Sequence, residues 1–114
     1  MNIRFLFIND NLRILAFLQG VFNQRTDTMF VQCESVEGAL AAVKEYKPAV
    51  IFLDQYLAEV GDGLRVVAEL RNSGNTATIY STTLDAGAHE EYKGLGIQVI
   101  DISDLATLRQ IMSN

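Results

Sequence analysis

The 114-residue chain predicts a doubly wound α/β sandwich, in which a five-stranded parallel sheet carries helices on both faces. Two observations predict it. Short β-rich apolar runs alternate about five times with longer stretches whose apolar residues recur at helical spacing. The strand-like runs are also nearly continuous in apolar character, as expected of parallel strands buried on both faces. No internal repeat or linker divides the chain, so residues 1–114 read as one domain.

The elements follow in order. Ile3 to Ile8 forms the first buried strand, and Asn9, Asp10 and Asn11 supply turn and N-cap chemistry for a helix whose Ile14, Leu15, Leu18, Val21 and Phe22 share a face. Met29 to Cys33 is a weaker strand towards an edge. Ser35 caps a helix with Val36, Ala39, Leu40 and Val43 facing inward, and Pro48 closes it. Pro48 to Leu53 is the most hydrophobic strand and ends abruptly in Asp54. Gly61-Asp62-Gly63 then turns the chain into a helix carrying Leu64, Val67 and Ala68, with Gly74 as its C-cap. Ala77 to Tyr80 makes a fourth strand running into Ser81-Thr82-Thr83. The poorly periodic segment from Asp85 to Gly94 is at best a short helix. Ile97 to Ile102 is the fifth strand, and Ser103 or Asp104 caps a last helix built on Leu105, Leu108, Ile111 and Met112.

Composition excludes several classes of function. The net charge of -5 comes without a basic cluster, which argues against direct nucleic-acid binding. No apolar run is long enough for a membrane span, and the lone Cys33 can neither close an intrachain disulfide nor share a zinc site with other thiolates, so the expected location is the cytoplasm. A single histidine, His89, cannot supply a Ser-His-Asp set or a His-rich metal centre, and no phosphate-binding glycine loop is present.

In open sheets of this kind ligands bind beyond the carboxyl ends of the strands. The residues there are Asn9 and Asp10, Asp54, Ser81 and Thr82, and Asp101 and Ser103. Asp10 and Asp54 are the natural pair for a hard divalent cation such as Mg²⁺, which takes one or two carboxylates together with waters and phosphate oxygens. Asp10 has a competing role as a helix cap, and Ser81-Thr82-Thr83 is either a polar turn or a group of hydroxyls contacting an anion. Asp54 is harder to explain structurally, because a carboxylate continuing an apolar strand incurs a desolvation cost unless it is paired or near solvent.

Over essentially its whole length the chain resembles the receiver domain of bacterial response regulators, a flavodoxin-like fold. The carrying residues are Phe5-Leu6-Phe7-Ile8-Asn9-Asp10, Val50-Ile51-Phe52-Leu53-Asp54, Gly61-Asp62-Gly63-Leu64 and Ile79-Tyr80-Ser81-Thr82. The resemblance implies that Asp54 accepts a phosphoryl group from a kinase histidine. It also implies that Asp10, Asp54 and the Tyr56 carbonyl hold Mg²⁺, that Ser81 senses the phosphoryl group, and that Asn9 and Thr82 support the site. The implied partner is a histidine kinase or another signalling protein, with the chain acting as a monomer or weak homodimer rather than as an enzyme.

Three departures bear on function. Asn9 stands where the family usually has a first acid, Asp101 where it has a lysine, and Gln98 where it has a switch aromatic; the Gln55 to Asp62 loop also looks one residue longer than usual and lacks its proline. The exchanges leave a phosphorylated site one unit more negative than the family form. If Asp101 lay within about 4 Å of the phosphoryl oxygens, repulsion would reach roughly 4 kcal/mol at an effective dielectric near 20. Lys93 is the one candidate in the neighbouring segment for a replacement cation. Two other readings therefore stand beside the phosphoacceptor: a pseudo-receiver that binds protein partners independently of phosphorylation, and a small metal-dependent phosphate-processing enzyme.

Overall fold

The computed structural model describes residues 2–59, 61–82 and 89–113, with the side chains of residues 89–91 left aside. The elements run β1 (Phe5–Asn9), α1 (Leu12–Val21), β2 (Thr28–Gln32), α2 (Val36–Tyr46), β3 (Val50–Asp54), α3 (Asp62–Asn72), β4 (Thr78–Thr82), α4 (His89–Gly94), β5 (Gln98–Ile100) and α5 (Leu105–Met112). The strands form one parallel sheet in the order β2-β1-β3-β4-β5. The expected doubly wound sandwich is the observed architecture.

Strand alternation divides the core into two layers. On one face Leu6, Ile8, Ile51, Leu53, Ile79 and Ile97 meet Val36, Ala39 and Val43 of α2, Val66, Val67 and Leu70 of α3, and Tyr92 of α4. Cys33 is buried in this layer as a small core residue. On the other face Phe5, Phe7, Phe52 and Ile100 meet Leu15 and Leu18 of α1 and Leu108 and Met112 of α5. Across this second face one register level carries Phe30, Phe7, Phe52 and Tyr80 on four successive strands, and Gln98 of β5 ends the row. Neighbouring rings along it lie 5.0, 4.4 and 5.5 Å apart and are nearly parallel.

Local chemistry sets the element ends. Asn11, not Asp10, caps α1: its side-chain oxygen accepts the N–H groups of Arg13 and Ile14. Ser35 caps α2 by accepting from Gly38, as its sequence position predicts. That helix ends at Lys47, in the left-handed region at φ 47°, before Pro48 forbids another turn.

All five strands differ from their expected bounds by one or more residues, and at two of them the shift bears on the site. β4 continues through Ser81 and Thr82, whose hydroxyls make them look like loop, because both are covered and paired with β3 and β5. β5 stops at Ile100, since as an edge strand it has one neighbour, and that neighbour ends at Thr82. Of the expected short helix, residues 89–94 are helical; Thr83 and residues 85–88 lie outside the described residues, as does the His89 side chain.

Candidate phosphoacceptor site

The carboxyl ends of β1, β3 and β4 form the candidate site. Leu53 pairs with Ile8 and with Ser81, and one step further along are Asn9 of β1, Asp54 of β3 and Thr82 of β4, with Asp54 and Thr82 in direct register. All three belong to the α1/α5 face, directly above the Phe7, Phe52 and Tyr80 row. A carboxylate on that aromatic floor has little solvent on its inner side.

The electrostatics of Asp54 follow from this placement. Burial, then a hydrogen bond with the Asp10 carboxyl, then the Asp10 charge push its pKa up to about 7 against the ordinary 3.8, while the N–H groups of Tyr56 and Gln55 pull it back down. Burial and the neighbouring Asp10 carboxyl both disfavour the charged form of Asp54, and that cost is what a cation would relieve. The donor set suits Mg²⁺: two carboxyls at a half-exposed rim, with coordination left for water and a phosphoryl oxygen. Among the described residues no three His, Cys, Asp or Glu side chains gather, so an all-protein cage for a metal ion is absent there.

The turn after β1 is tied down without using Asp10's side chain. Asn9, 4% exposed, accepts the Asn11 N–H through its side-chain oxygen at 2.9 Å, and Gln32 donates to the Asp10 carbonyl at 3.2 Å. The expected capping role of Asp10 thus falls to Asn11, which leaves the Asp10 carboxyl to Asp54. Asn9 spends its acceptor on the turn.

Ser81 requires a correction. It alternates with Asp54 rather than sharing its face: paired with Leu53 and Val99, it points into the α2/α3/α4 layer and is fully buried. Its hydroxyl has no hydrogen-bond partner among the described residues. A phosphoryl group on Asp54 would lie on the other side of the sheet. Thr82 holds the row position that Ser81 was expected to hold.

Asp101 has its carboxylate held by its own turn. It follows β5, is exposed, and its carboxylate accepts both the amide (2.8 Å) and the hydroxyl (2.6 Å) of Ser103, which keep it below the usual carboxylate range. Among the described residues it is not one of the groups that act on Asp54, and neither is Lys93 or another cation. Gln98 lies two residues below the rim, beside Tyr80, in an open cleft of about 410 Å³ that it shares with Arg4, Thr78 and Gln110.

The β3–α3 loop shows what sequence reasoning missed. Asp62 is buried, and its Oδ2 accepts the N–H groups of Ala58 and Glu59, both at 3.0 Å, pinning the loop; these bonds and the nearby Arg65 lower its pKa. Gly63 is sterically required, since a Cβ there would lie 2.5 Å from the Tyr92 hydroxyl oxygen and 2.9 Å from the Asp54 carbonyl. The Gly-Asp-Gly spacing signals a turn, but nothing local signals that a tyrosine some 30 residues on closes over it.

The sequence matches no family model and no curated protein. Solved structures do match. The response regulator TrrA from Thermotoga maritima, in complex with Mg²⁺ and BeF, aligns over 99% of this chain and 97% of its own at 19% identity and a TM-score of 0.79. The BeF₃-activated N-terminal receiver domain of Klebsiella pneumoniae RstA aligns over 96% and 95% at 16% identity and a TM-score of 0.76. The N-terminal domain of an uncharacterized Wolinella succinogenes protein aligns over 99% and 94% at 14% identity and a TM-score of 0.74. With its 2-1-3-4-5 parallel sheet and its acidic rim, the chain has the fold of a response-regulator receiver domain.

Proposed function

We propose that this chain is a signalling receiver in which Asp54 accepts a phosphoryl group and passes its state to a protein partner. The observation that carries the reading is the Asp10–Asp54 carboxyl pair on the strand-end rim, with Thr82 in the same row. In the transfer, an Asp54 carboxylate oxygen attacks the phosphorus of a phosphohistidine on a kinase; a P–O bond forms as the P–N bond breaks, and the departing imidazole takes up a proton. Asp54 attacks in its charged form, which burial and the neighbouring Asp10 disfavour. Asp10, Asp54 and the Tyr56 carbonyl would hold Mg²⁺, which when bound neutralises the paired carboxylates and the phosphoryl oxygens. The N–H groups of Gln55 and Tyr56 orient the attacking carboxylate. Thr82 donates its hydroxyl to a phosphoryl oxygen, the role first expected of Ser81.

The surface we assign to the partner is α4, β5 and α5, and the chain works there as a binding module rather than as an enzyme. A kinase or another signalling protein is the partner class. No helix among the described residues is long and apolar enough to cross a membrane.

One observation favours a second reading. With Asp101 in place of a lysine, no cation among the described residues acts on Asp54 to steady a phosphoryl group, which suits a pseudo-receiver binding partners without phosphorylation. A small phosphodonor with Mg²⁺ separates the two. The phosphoacceptor reading expects one phosphate added by mass and its loss in Asp54→Asn; no adduct, together with no response to beryllofluoride, leaves the pseudo-receiver.

A further inference from the structure

Tyr92 heads the largest fully buried side chains, yet it comes from the six-residue α4, where its described neighbours Lys93 and Gly94 are exposed. Its hydroxyl reaches across to the turn behind Asp54. A Cβ placed on Gly63 would lie 2.5 Å from the Tyr92 oxygen, 2.9 Å from the Asp54 carbonyl oxygen and 3.1 Å from the Gln55 Cα, so these three groups meet at one point.

A continuous set of contacts leads away from that point in both directions. Towards the site, the Asp54 carboxyl accepts the N–H groups of Gln55 and Tyr56, and the Gln55 carbonyl accepts the Gly63 N–H at 3.1 Å. Towards the surface, the Tyr92 carbonyl accepts the N–H groups of both Leu95 and Ile97 at 3.0 Å. Leu95 is 57% exposed, one of three large apolar side chains so exposed among the described residues, while Ile97 leads into β5.

We propose that Tyr92 is a positioning residue that transmits the state of Asp54 to the α4–β5 surface, presenting or withdrawing Leu95. The proposal rests on the phosphoacceptor reading for what changes at Asp54 and goes beyond it in naming the relay. The physical reason is close packing. When the Asp54 oxygens turn to phosphorus and a cation, their bonds to the Gln55 and Tyr56 amides must change, and that peptide shifts. Gly63 has no side chain to absorb the shift, so the Tyr92 hydroxyl resting on it moves too, and the Leu95 and Ile97 amides follow their shared acceptor. Gln98 cannot supply an aromatic switch from β5; here a tyrosine hydroxyl from α4 meets the backbone of the turn behind Asp54.

The test is nuclear magnetic resonance on the whole chain, reading the Tyr92 ring and the Leu95 and Ile97 amides. Two perturbations are applied separately: Asp54→Asn, and beryllofluoride with Mg²⁺. Each is expected to move all three signals. Tyr92→Phe, which removes one oxygen and keeps the ring, is expected to suppress the amide response and to change beryllofluoride affinity by about 2- to 10-fold. The relay is overturned if Gln55 and Tyr56 respond while Leu95 and Ile97 do not, or if those amides respond equally in Tyr92→Phe. If beryllofluoride binds nowhere, the phosphoacceptor reading fails, and the Asp54→Asn arm still decides the relay. Should Tyr92→Phe lose its fold, a Tyr92 ring unmoved by Asp54→Asn in the otherwise intact chain overturns it as well.

Discussion

Replacing Asp54 by asparagine should stabilise the metal-free protein in neutral and alkaline solution. Asp54 titrates near 7 in the fold and near 3.8 when unfolded, a difference of about 3 units. At 1.36 kcal/mol per unit the full cost of its charge is about 4 kcal/mol, and solvent at the half-exposed rim cuts this to about 2 kcal/mol. The sign is fixed by proton uptake. Below pH 3.8 the group is protonated in both states and costs nothing; between 3.8 and 7 the unfolded chain releases the proton while the fold keeps it, so stability falls as pH rises, and above 7 the whole penalty is present. The amide of the variant never ionises. The difference in thermal midpoint between variant and wild type should therefore be near zero at pH 4 and grow to roughly 8 °C at pH 8. Differential scanning calorimetry in chelator at several pH values measures it, and other titrating groups cancel in the difference. Asp10→Asn should recover less, since burial, the largest cause, remains. An Asp54→Asn gain that is absent at pH 8, or unchanged from pH 4 to 8, would refute the buried-pair electrostatics on which the site is built.

Other outcomes follow from the same geometry. Thr82→Ala should weaken beryllofluoride binding by about 10-fold, as expected for one lost hydrogen bond to a charged group, whereas Ser81→Ala should leave affinity unchanged and raise stability by about 1 kcal/mol by removing a buried hydroxyl without a partner; titration calorimetry and thermal melts check both, and equal effects on affinity would contradict the assignment of faces. Asp101→Ala should alter mimic affinity by less than about 2-fold, because its carboxylate is exposed and engaged by Ser103, while Asp101→Lys should prolong the phosphorylated state; a large gain from alanine would show Asp101 acting on the site after all. Gly63→Ala should cost about 3 kcal/mol in urea unfolding, the upper end for overpacking, because its new methyl meets backbone as well as the Tyr92 hydroxyl.

Much of the fold was legible because parallel strands covered on both faces write themselves as apolar runs. Phe5 to Ile8 and Val50 to Leu53 needed no other signal, and Asp54 stood out by ending such a run. Thr82 and Ser81 were harder. Hydroxyl residues favour turns by composition, so the fourth strand appeared to stop at Tyr80; once its end is misplaced, the parity that puts Ser81 and Asp54 on opposite faces is lost as well. Asp101 was legible only in part: strand register tells which residue follows β5, but not that its carboxylate is engaged by Ser103 two residues on. Tyr92 left no periodic trace, being the single large apolar residue of a short helix, and its importance depends on Gly63.

The row of rings beneath the rim gives the molecule an optical signature. The chain has four tyrosines and no tryptophan. Phe30, Phe7, Phe52 and Tyr80 stack within 16 to 19° of parallel, each supplied by a different strand. Their transitions are thus held in a fixed chiral arrangement only while β2, β1, β3 and β4 keep register, and near-ultraviolet circular dichroism becomes a gauge of strand alignment rather than of helix content. In a loosened, molten state the near-ultraviolet band should vanish while the far-ultraviolet helical signal persists. Because Tyr80 lies directly under Thr82, its share of the tyrosine region of that band, isolated by comparison with Tyr80→Phe, gives a label-free view of whether ligands at the rim disturb the sheet.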